Sequence, residues 1–166
     1  MFYAVKTINR IHFNPIIMAD NKGLVRIVVV EDDDMIRESF VSLLNDNERF
    51  ICIADYDNCE DAIMQLGIDD PDIILMDIEM PQINGVVATK KAMWNHSGIK
   101  VIAVTNHKEK TYLNELIPAG FRGCVLKNNI YNDLEQALLL VFNGKLFFKD
   151  NTRINPDSFL GIYANQ

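Results

Sequence analysis

The chain has 166 residues, enough for one compact domain with a buried core and short flanking segments. Its 23 acidic residues outnumber its 16 basic ones, which gives a formal net charge of -7. Because an acidic surface repels the phosphates of nucleic acids, we expect no direct nucleic-acid binding by this chain.

The first 23 residues are predicted to be an N-terminal extension, not a signal peptide or membrane anchor. Lys6, Arg10 and His12 interrupt its apolar patches. No continuous apolar run therefore reaches the ~20 residues that a membrane helix needs, and we expect no membrane association. The folded domain is predicted at residues 24–148, with a C-terminal tail at 149–166, and Met18 is an alternative start of the chain.

Three cysteines, Cys52, Cys59 and Cys124, are present, with no CxxC pair among them. An odd number of unpaired thiols favours a cytoplasmic protein with reduced cysteines, two of which, Cys52 and Cys124, we expect in the core. A metal site built from these thiols is not expected.

Short β-branched runs alternate with segments of helical periodicity from Val25 onward. The predicted strands are residues 25–30, 50–55, 72–76, 99–104 and 122–126. The predicted helices are a first one with the apolar stripe Ile36, Phe40, Leu43 and Leu44, followed by residues 59–66, 85–95, 108–119 and 130–142. We expect Trp94 to help pack the third of these helices.

Five strands that alternate with five helices predict an α/β fold, in which a parallel sheet carries helices on both faces. The leading candidate is the flavodoxin-like strand order 2-1-3-4-5. In this fold, sites form at the carboxyl ends of the strands, near the point where the strand order reverses. No repeat or linker indicates a second domain.

Polar residues follow four of the predicted strands. Glu31 and Asp32 follow the first strand, Asp77 the third, Thr105 the fourth and Lys127 the fifth. These four strands are neighbours in the predicted order, so we expect the five side chains to share one cleft. Two further acidic residues after the first strand, Asp33 and Asp34, are expected to cap the first helix instead.

The charges of this cleft favour a divalent cation. Glu31, Asp32 and Asp77 contribute three negative charges and Lys127 one positive charge. Crowded carboxylates without a cation would repel one another, and oxygen ligands with open positions suit Mg²⁺. A carboxylate nucleophile beside such an ion is typical of phosphoryl transfer through an aspartyl-phosphate.

Four motifs in this order resemble those of response-regulator receiver domains from two-component systems. They are residues 28–33, residues 76–81 with Asn84 and Gly85, residues 104–105, and residues 123–127. The resemblance covers approximately residues 25–148. Residues 143–148 resemble the receiver end of NarL/LuxR-type regulators, which carry a helix-turn-helix domain.

The resemblance implies that Asp77 accepts a phosphoryl group from a sensor histidine kinase or phosphotransfer protein. It further implies that Thr105 binds the phosphoryl group through its hydroxyl and that Lys127 pairs first with Asp77 and then with the phosphoryl oxygens. Pro81 and Gly85 would shape the loop beside Asp77. Such a domain phosphorylates itself, and dephosphorylates itself in some cases, without being an enzyme that turns over a substrate.

The same resemblance implies a set of Mg²⁺ ligands. Asp32 and Asp77 would bind through carboxylates, Glu31 mostly through water, and Glu79 through its backbone carbonyl. Departures from the family pattern occur at Cys124, where the family usually has Tyr or Phe, and at Asn106, where a smaller residue is common. A small thiol cannot swing a ring, so we expect a weaker or different response to phosphorylation.

Two other functional classes compete with this interpretation. One is a pseudo-receiver, an interaction module that keeps the fold without being phosphorylated. The other is a phosphohydrolase that uses an Asp-x-Asp motif at Asp32-Asp33-Asp34, although Ile36 stands where Thr or Val is expected.

The last predicted helix is apolar on all sides around residues 138–142. Its outer side is covered either by the C-terminal segment, through Leu146, Phe147, Phe148 or Phe159, or by a partner such as a second copy of the chain. The last 18 residues are too few for a DNA-binding domain. The chain therefore acts alone through protein contacts or is a fragment of a longer transcription factor.

Overall fold

The computed structural model describes residues 23–106 and 113–149. The elements are β1 Val25–Val30, α1 Asp34–Asn45, β2 Phe50–Tyr56, α2 Cys59–Asp69, β3 Ile73–Asp77, α3 Gly85–Asn95, β4 Lys100–Thr105, α4 Leu113–Ala119, β5 Phe121–Leu126, α5 Ile130–Phe142 and β6 Phe147–Phe148. A single 3₁₀ turn, Lys127–Asn129, joins β5 to α5. Residues 1–22 of the predicted extension, residues 150–166 of the predicted tail and residues 108–112 of the predicted fourth helix lie outside the described residues.

The sheet is parallel and has the order β2-β1-β3-β4-β5-β6. The flavodoxin-like order of the first five strands is confirmed, and β6 extends the sheet beyond it. Gly144 makes this extension feasible, because its φ of 77° lets the chain turn sharply after α5. Gly123 opposite Phe147 leaves room for the new strand, since a Cβ there would lie 3.0 Å from the Phe147 carbonyl oxygen.

Two hydrophobic cores lie on opposite faces of the sheet. Helices α1 and α5 pack on one face, where Val29 and Leu75 point, and helices α2, α3 and α4 pack on the other, where Val28 and Ile74 point. Because β1, β3 and β4 are covered on both faces, nearly all of their residues are buried. This explains why these strands read as continuous apolar runs.

The C-terminal segment covers part of α5, which supports the first of the two explanations for this apolar helix. Phe147 joins the same core as Ala137, Leu138 and Val141. Lys149, just after β6, forms an ion pair with Asp133, whose side chain is buried in α5. Phe159 lies outside the described residues.

The expectation for Trp94 is wrong, because its side chain is 91% exposed. The buried side of α3 consists of the small residues Ala88, Thr89 and Ala92, and Trp94 lies outside this buried side. Cys59 is the fully buried cysteine, while Cys52 and Cys124 are half-buried beside the two cores. Over the described ranges, no helix has both the length and the apolar character needed to cross a membrane.

Thr89 provides a test of the packing of α3. Its side chain is fully buried, and its hydroxyl has no hydrogen-bond partner among the described residues. An unsatisfied buried hydroxyl is costly, so we expect Thr89→Val, which has nearly the same shape, to raise the free energy of unfolding by about 1 kcal/mol. Urea denaturation at constant m-value measures this change.

Thr89→Ser is the matched control, because it keeps the hydroxyl and removes the methyl group. We expect this variant to be less stable than the wild type by about 1 kcal/mol. A loss of stability in Thr89→Val would show that the hydroxyl is satisfied in solution.

Candidate functional site

Asp77 lies at the carboxyl end of β3, with 3% of its surface exposed. Both oxygens of its carboxylate are engaged. The backbone N–H of Glu79 donates to Oδ1 at 3.2 Å, and the Lys127 ammonium donates to Oδ2 at 3.0 Å. Asp77 is therefore held in one orientation at the point where the strand order reverses.

Lys127 joins two carboxylates that come from different strands. It follows β5 directly, and its Nζ lies 2.7 Å from Oε2 of Glu31 as well as 3.0 Å from Oδ2 of Asp77. Glu31 follows β1 and is 1% exposed. The ammonium group thus lies between two buried carboxylates at the centre of the site and compensates one of their two negative charges.

The burial of this trio is reflected in its proton affinities. Burial raises the pKa of Glu31 above its usual value, an effect that the Lys127 hydrogen bond reduces and the negative charge of Asp77 reinforces. Burial by itself lowers the pKa of Lys127, but the hydrogen bonds to Glu31 and Asp77 outweigh it, so the net shift is upward. Lys127 therefore stays charged at neutral pH.

Three carboxylates of the site are arranged so that they could hold a cation. Glu31, Asp32 and Asp77 each place one oxygen so that all three oxygens lie within 4.8 Å of one another. Asp32 is exposed, which leaves the set open to water on that side. Hard oxygen donors with open positions, and a net negative charge after Lys127 is counted, fit Mg²⁺.

A shallow groove of about 600 Å³ opens beside Asp32. Its apolar floor includes Ile78 and Met80, and its rim carries the carboxylates of Asp32, Glu79 and Glu115. Asp32 and Glu79 therefore line the same groove, and the presence of Glu115 there was not predicted from the sequence.

The next two acidic residues serve the helix, as expected. Asp33 is the N-cap of α1, and its Oδ1 accepts a hydrogen bond from the N–H of Ile36 at 3.0 Å. Asp34 lies in the first turn and pairs with Arg37 at 2.5 Å. An Asp-x-Asp phosphohydrolase would use Asp32 and Asp34, and the ion pair with Arg37 commits the Asp34 carboxylate to α1.

The loop after Asp77 is closed by a short approach between two backbone segments. The N–H of Gly85 donates to the carbonyl of Ile78 at 3.1 Å, and the side chain of Asn84 caps α3 through the N–H of Val87 at 2.9 Å. A Cβ on Gly85 would lie 2.1 Å from the carbonyl oxygen of Asp77. Only glycine fits at this position.

Thr105 ends β4 with its side chain fully buried, next to Leu126 of β5 in the sheet register. Asn106 follows it and is exposed. Cys124 is half-buried and pairs in register with Ala103 and Phe148. The position in β5 where the family usually has Tyr or Phe thus carries a small, half-buried thiol.

The thiols are unsuited to nucleophilic chemistry at neutral pH. Burial raises the pKa of Cys124 to about 11 and, together with nearby carboxylates, raises the pKa of Cys52 and Cys59 to about 12.

Comparison with known proteins agrees with this geometry. Residues 27–139 match the family model of the response regulator receiver domain, and the chain belongs to this family. It is 33% identical over 124 residues to response regulator GacA of Pseudomonas viridiflava, an alignment that covers 75% of this chain and 58% of GacA. It is 31% identical over 124 residues to the transcriptional regulatory protein DegU of Brevibacillus brevis, with 75% and 52% covered. The chain thus spans little more than half the length of these relatives.

Solved structures show the same fold. A DNA-binding response regulator of the LuxR family from Staphylococcus aureus has a TM-score of 0.65 and 29% identity, with 72% of this chain and 99% of that chain covered. A two-component response regulator of the LuxR family from Aurantimonas sp. SI85-9A1 has a TM-score of 0.72 and 23% identity, with 84% and 95% covered.

Gly85 offers a test of the loop geometry. Gly85→Ala would force its Cβ against the Asp77 backbone, so we expect a loss of about 2 kcal/mol in the free energy of unfolding. The measurement is urea denaturation. The matched control is Gly98→Ala, where a Cβ would meet nothing within 4 Å, and we expect a change below about 0.5 kcal/mol. Equal effects of the two variants would contradict the close approach.

Glu31 offers a test of the electrostatics. A carboxyl whose pKa folding has raised holds its proton more tightly in the folded chain, so its ionisation lowers stability as pH rises. Glu31→Gln cannot ionise. We therefore expect the stability of this variant relative to wild type to increase as pH rises from about 4 to about 7, measured by urea denaturation with EDTA present. A relative stability that falls over this range would mean that Glu31 is ionised easily in the folded protein.

Proposed function

We propose that this chain is a working receiver: Asp77 accepts a phosphoryl group in the presence of Mg²⁺, and the modification changes the contacts that the domain makes with other proteins. The observation that carries the proposal is the convergence of Lys127, Glu31 and Asp77, with Asp32 open to solvent beside them. A purely structural charge cluster has no need of an excess of buried carboxylate over ammonium.

The phosphoryl step follows from the positions of the chain's own groups. The Asp77 carboxylate attacks phosphorus, a new P–O bond forms, and the bond from phosphorus to the donor's leaving atom breaks, so that an aspartyl-phosphate and the free donor result. Lys127 is within reach of the oxygens of the new group, because it already contacts Oδ2 of Asp77. Thr105, at the end of the neighbouring strand β4, would bind another phosphoryl oxygen through its hydroxyl.

Bound Mg²⁺ would neutralise charge on the phosphoryl oxygens during transfer. The carboxylates of Asp32 and Asp77 would hold it directly, with Glu31 acting through water and the backbone carbonyl of Glu79 as a further ligand.

We propose a sensor histidine kinase or a phosphotransfer protein as the phosphodonor and the cytoplasm as the place of action, in keeping with the family and with three free thiols. The domain would phosphorylate itself, and its own Mg²⁺-bound site would support dephosphorylation. Relatives such as DegU are described as transcriptional regulatory proteins, so the output of a longer protein would be transcription. That this chain does not itself contact nucleic acid, and that it forms a homodimer, stay predictions.

The decisive measurement is intact mass after incubation with acetyl phosphate and Mg²⁺. We expect one added phosphoryl group that requires Mg²⁺ and is absent in Asp77→Asn. Asp57→Asn is the matched control. It alters an exposed aspartate that, like Asp77, lies at the carboxyl end of a strand, here β2, and it should leave the adduct intact.

The alternatives predict different results. A pseudo-receiver would give no adduct even after short incubation at low temperature, and no beryllofluoride binding. A phosphohydrolase would turn over a phosphate ester without a stable adduct at Asp77. Either result would overturn the proposed function.

A further inference from the structure

Arg37 connects three elements around the acidic site. It is the fourth residue of α1, and its side chain is 14% exposed. Its Nη1 donates to the backbone carbonyl of Glu31 at 2.8 Å, its Nε to Asp55 at the end of β2 at 3.0 Å, and its Nη2 to Asp34 at 2.5 Å. The fork of a guanidinium satisfies three acceptors that a single ammonium could not reach together.

These contacts fix the chain on both sides of Asp32. The carbonyl of Glu31, which precedes Asp32, accepts from the Arg37 side chain. The carbonyl of Asp33, which follows it, accepts from the backbone N–H of Arg37 at 2.9 Å, and the side chain of Asp33 caps the helix. The Asp32 side chain itself is exposed, so its position depends on the anchored backbone of Glu31 and Asp33 on either side.

We propose that Arg37 is a positioning residue for the cation site: it holds the backbone at Glu31 so that the carboxylates of Glu31 and Asp32 converge with that of Asp77 on Mg²⁺. This inference rests on the proposed function, because it assumes that the three carboxylates bind the ion. Groups that orient metal ligands without touching the metal typically change metal affinity by about 10- to 100-fold when they are removed.

Electrostatics alone predicts the opposite effect. A guanidinium near a cation site repels the cation, so removal of its positive charge would strengthen Mg²⁺ binding. If Arg37 acts by positioning, its removal weakens Mg²⁺ binding, because the segment that carries Glu31 and Asp32 loses its anchor. The sign of the change therefore separates the two roles.

The experiment is a calorimetric titration of the full chain with Mg²⁺, without any phosphodonor. We expect the dissociation constant to rise about tenfold in Arg37→Met. Arg37→Lys keeps the charge but loses the fork, and we expect a smaller rise of about threefold, below the roughly 10- to 100-fold range that is typical when such a group is removed completely. Arg49→Met is the matched control. Arg49 also binds a carboxylate, that of Glu135, but it lies just before the amino end of β2, away from the site. Its removal should leave Mg²⁺ binding unchanged.

A second measurement reports on the chain without metal. Amide hydrogen exchange of Asp33 in EDTA should accelerate in Arg37→Met and stay unchanged in Arg49→Met, because only the first variant releases the Glu31 carbonyl. If Arg37→Met does not fold, Arg37→Lys decides the question in both measurements.

Each outcome bears on a specific claim. Mg²⁺ binding by Arg37→Met or Arg37→Lys that is as tight as in the wild type, or tighter, overturns the positioning role while the proposed function stands. Absence of Mg²⁺ binding by the wild type overturns both. Weaker binding in Arg37→Met with wild-type binding in Arg49→Met supports the inference.

Discussion

The site depends on one ammonium group placed between two buried carboxylates. Lys127 contacts Glu31 at 2.7 Å and Asp77 at 3.0 Å, and both carboxylates are almost completely buried. Removal of the ammonium group from this cluster would leave two buried negative charges uncompensated. This contact depends on the sheet, because the three residues meet only if the carboxyl ends of β1, β3 and β5 lie side by side.

The cluster is under-compensated, and this imbalance connects stability with function. One positive charge faces the negative charges of Glu31 and Asp77, with Asp32 nearby, and burial raises the pKa of Glu31. A buried excess of negative charge destabilises the folded state, and a divalent cation would relieve it. In the proposed function, the same excess draws Mg²⁺ to the position where the phosphoryl group arrives.

The sequence was most informative at positions where only one type of residue can do the chemistry of the site or fit the local backbone. The alternation of apolar runs and helical stripes predicted the order of the first five strands. The charged residues after those strands include the four that meet in the structure, Glu31, Asp32, Asp77 and Lys127. Gly85 was assigned to the loop from turn chemistry, and the structure gives the stronger reason that a Cβ would collide with the Asp77 backbone.

Where the sequence failed, the deciding contacts join distant parts of the chain. Trp94 was expected to pack, but the buried side of α3 is formed by the small residues Ala88, Thr89 and Ala92, and the indole is in solvent. Strand β6 was missed because a two-residue strand carries no periodicity, and it forms only where Gly144 turns the chain toward Gly123 of β5. Arg37 went unnoticed because its acceptors, apart from its helix neighbour Asp34, lie at the ends of β1 and β2.

By itself, the sequence determined the parallel α/β fold, the family of the domain and the charged residues that follow the strands, because hydrophobic periodicity and residue type are local properties of the chain. Only the tertiary structure decided which oxygens face one another, how deeply Glu31 and Asp77 are buried and what holds Asp32 in place. Those properties arise when strands distant in sequence become neighbours, since burial and charge interactions depend on distance in space.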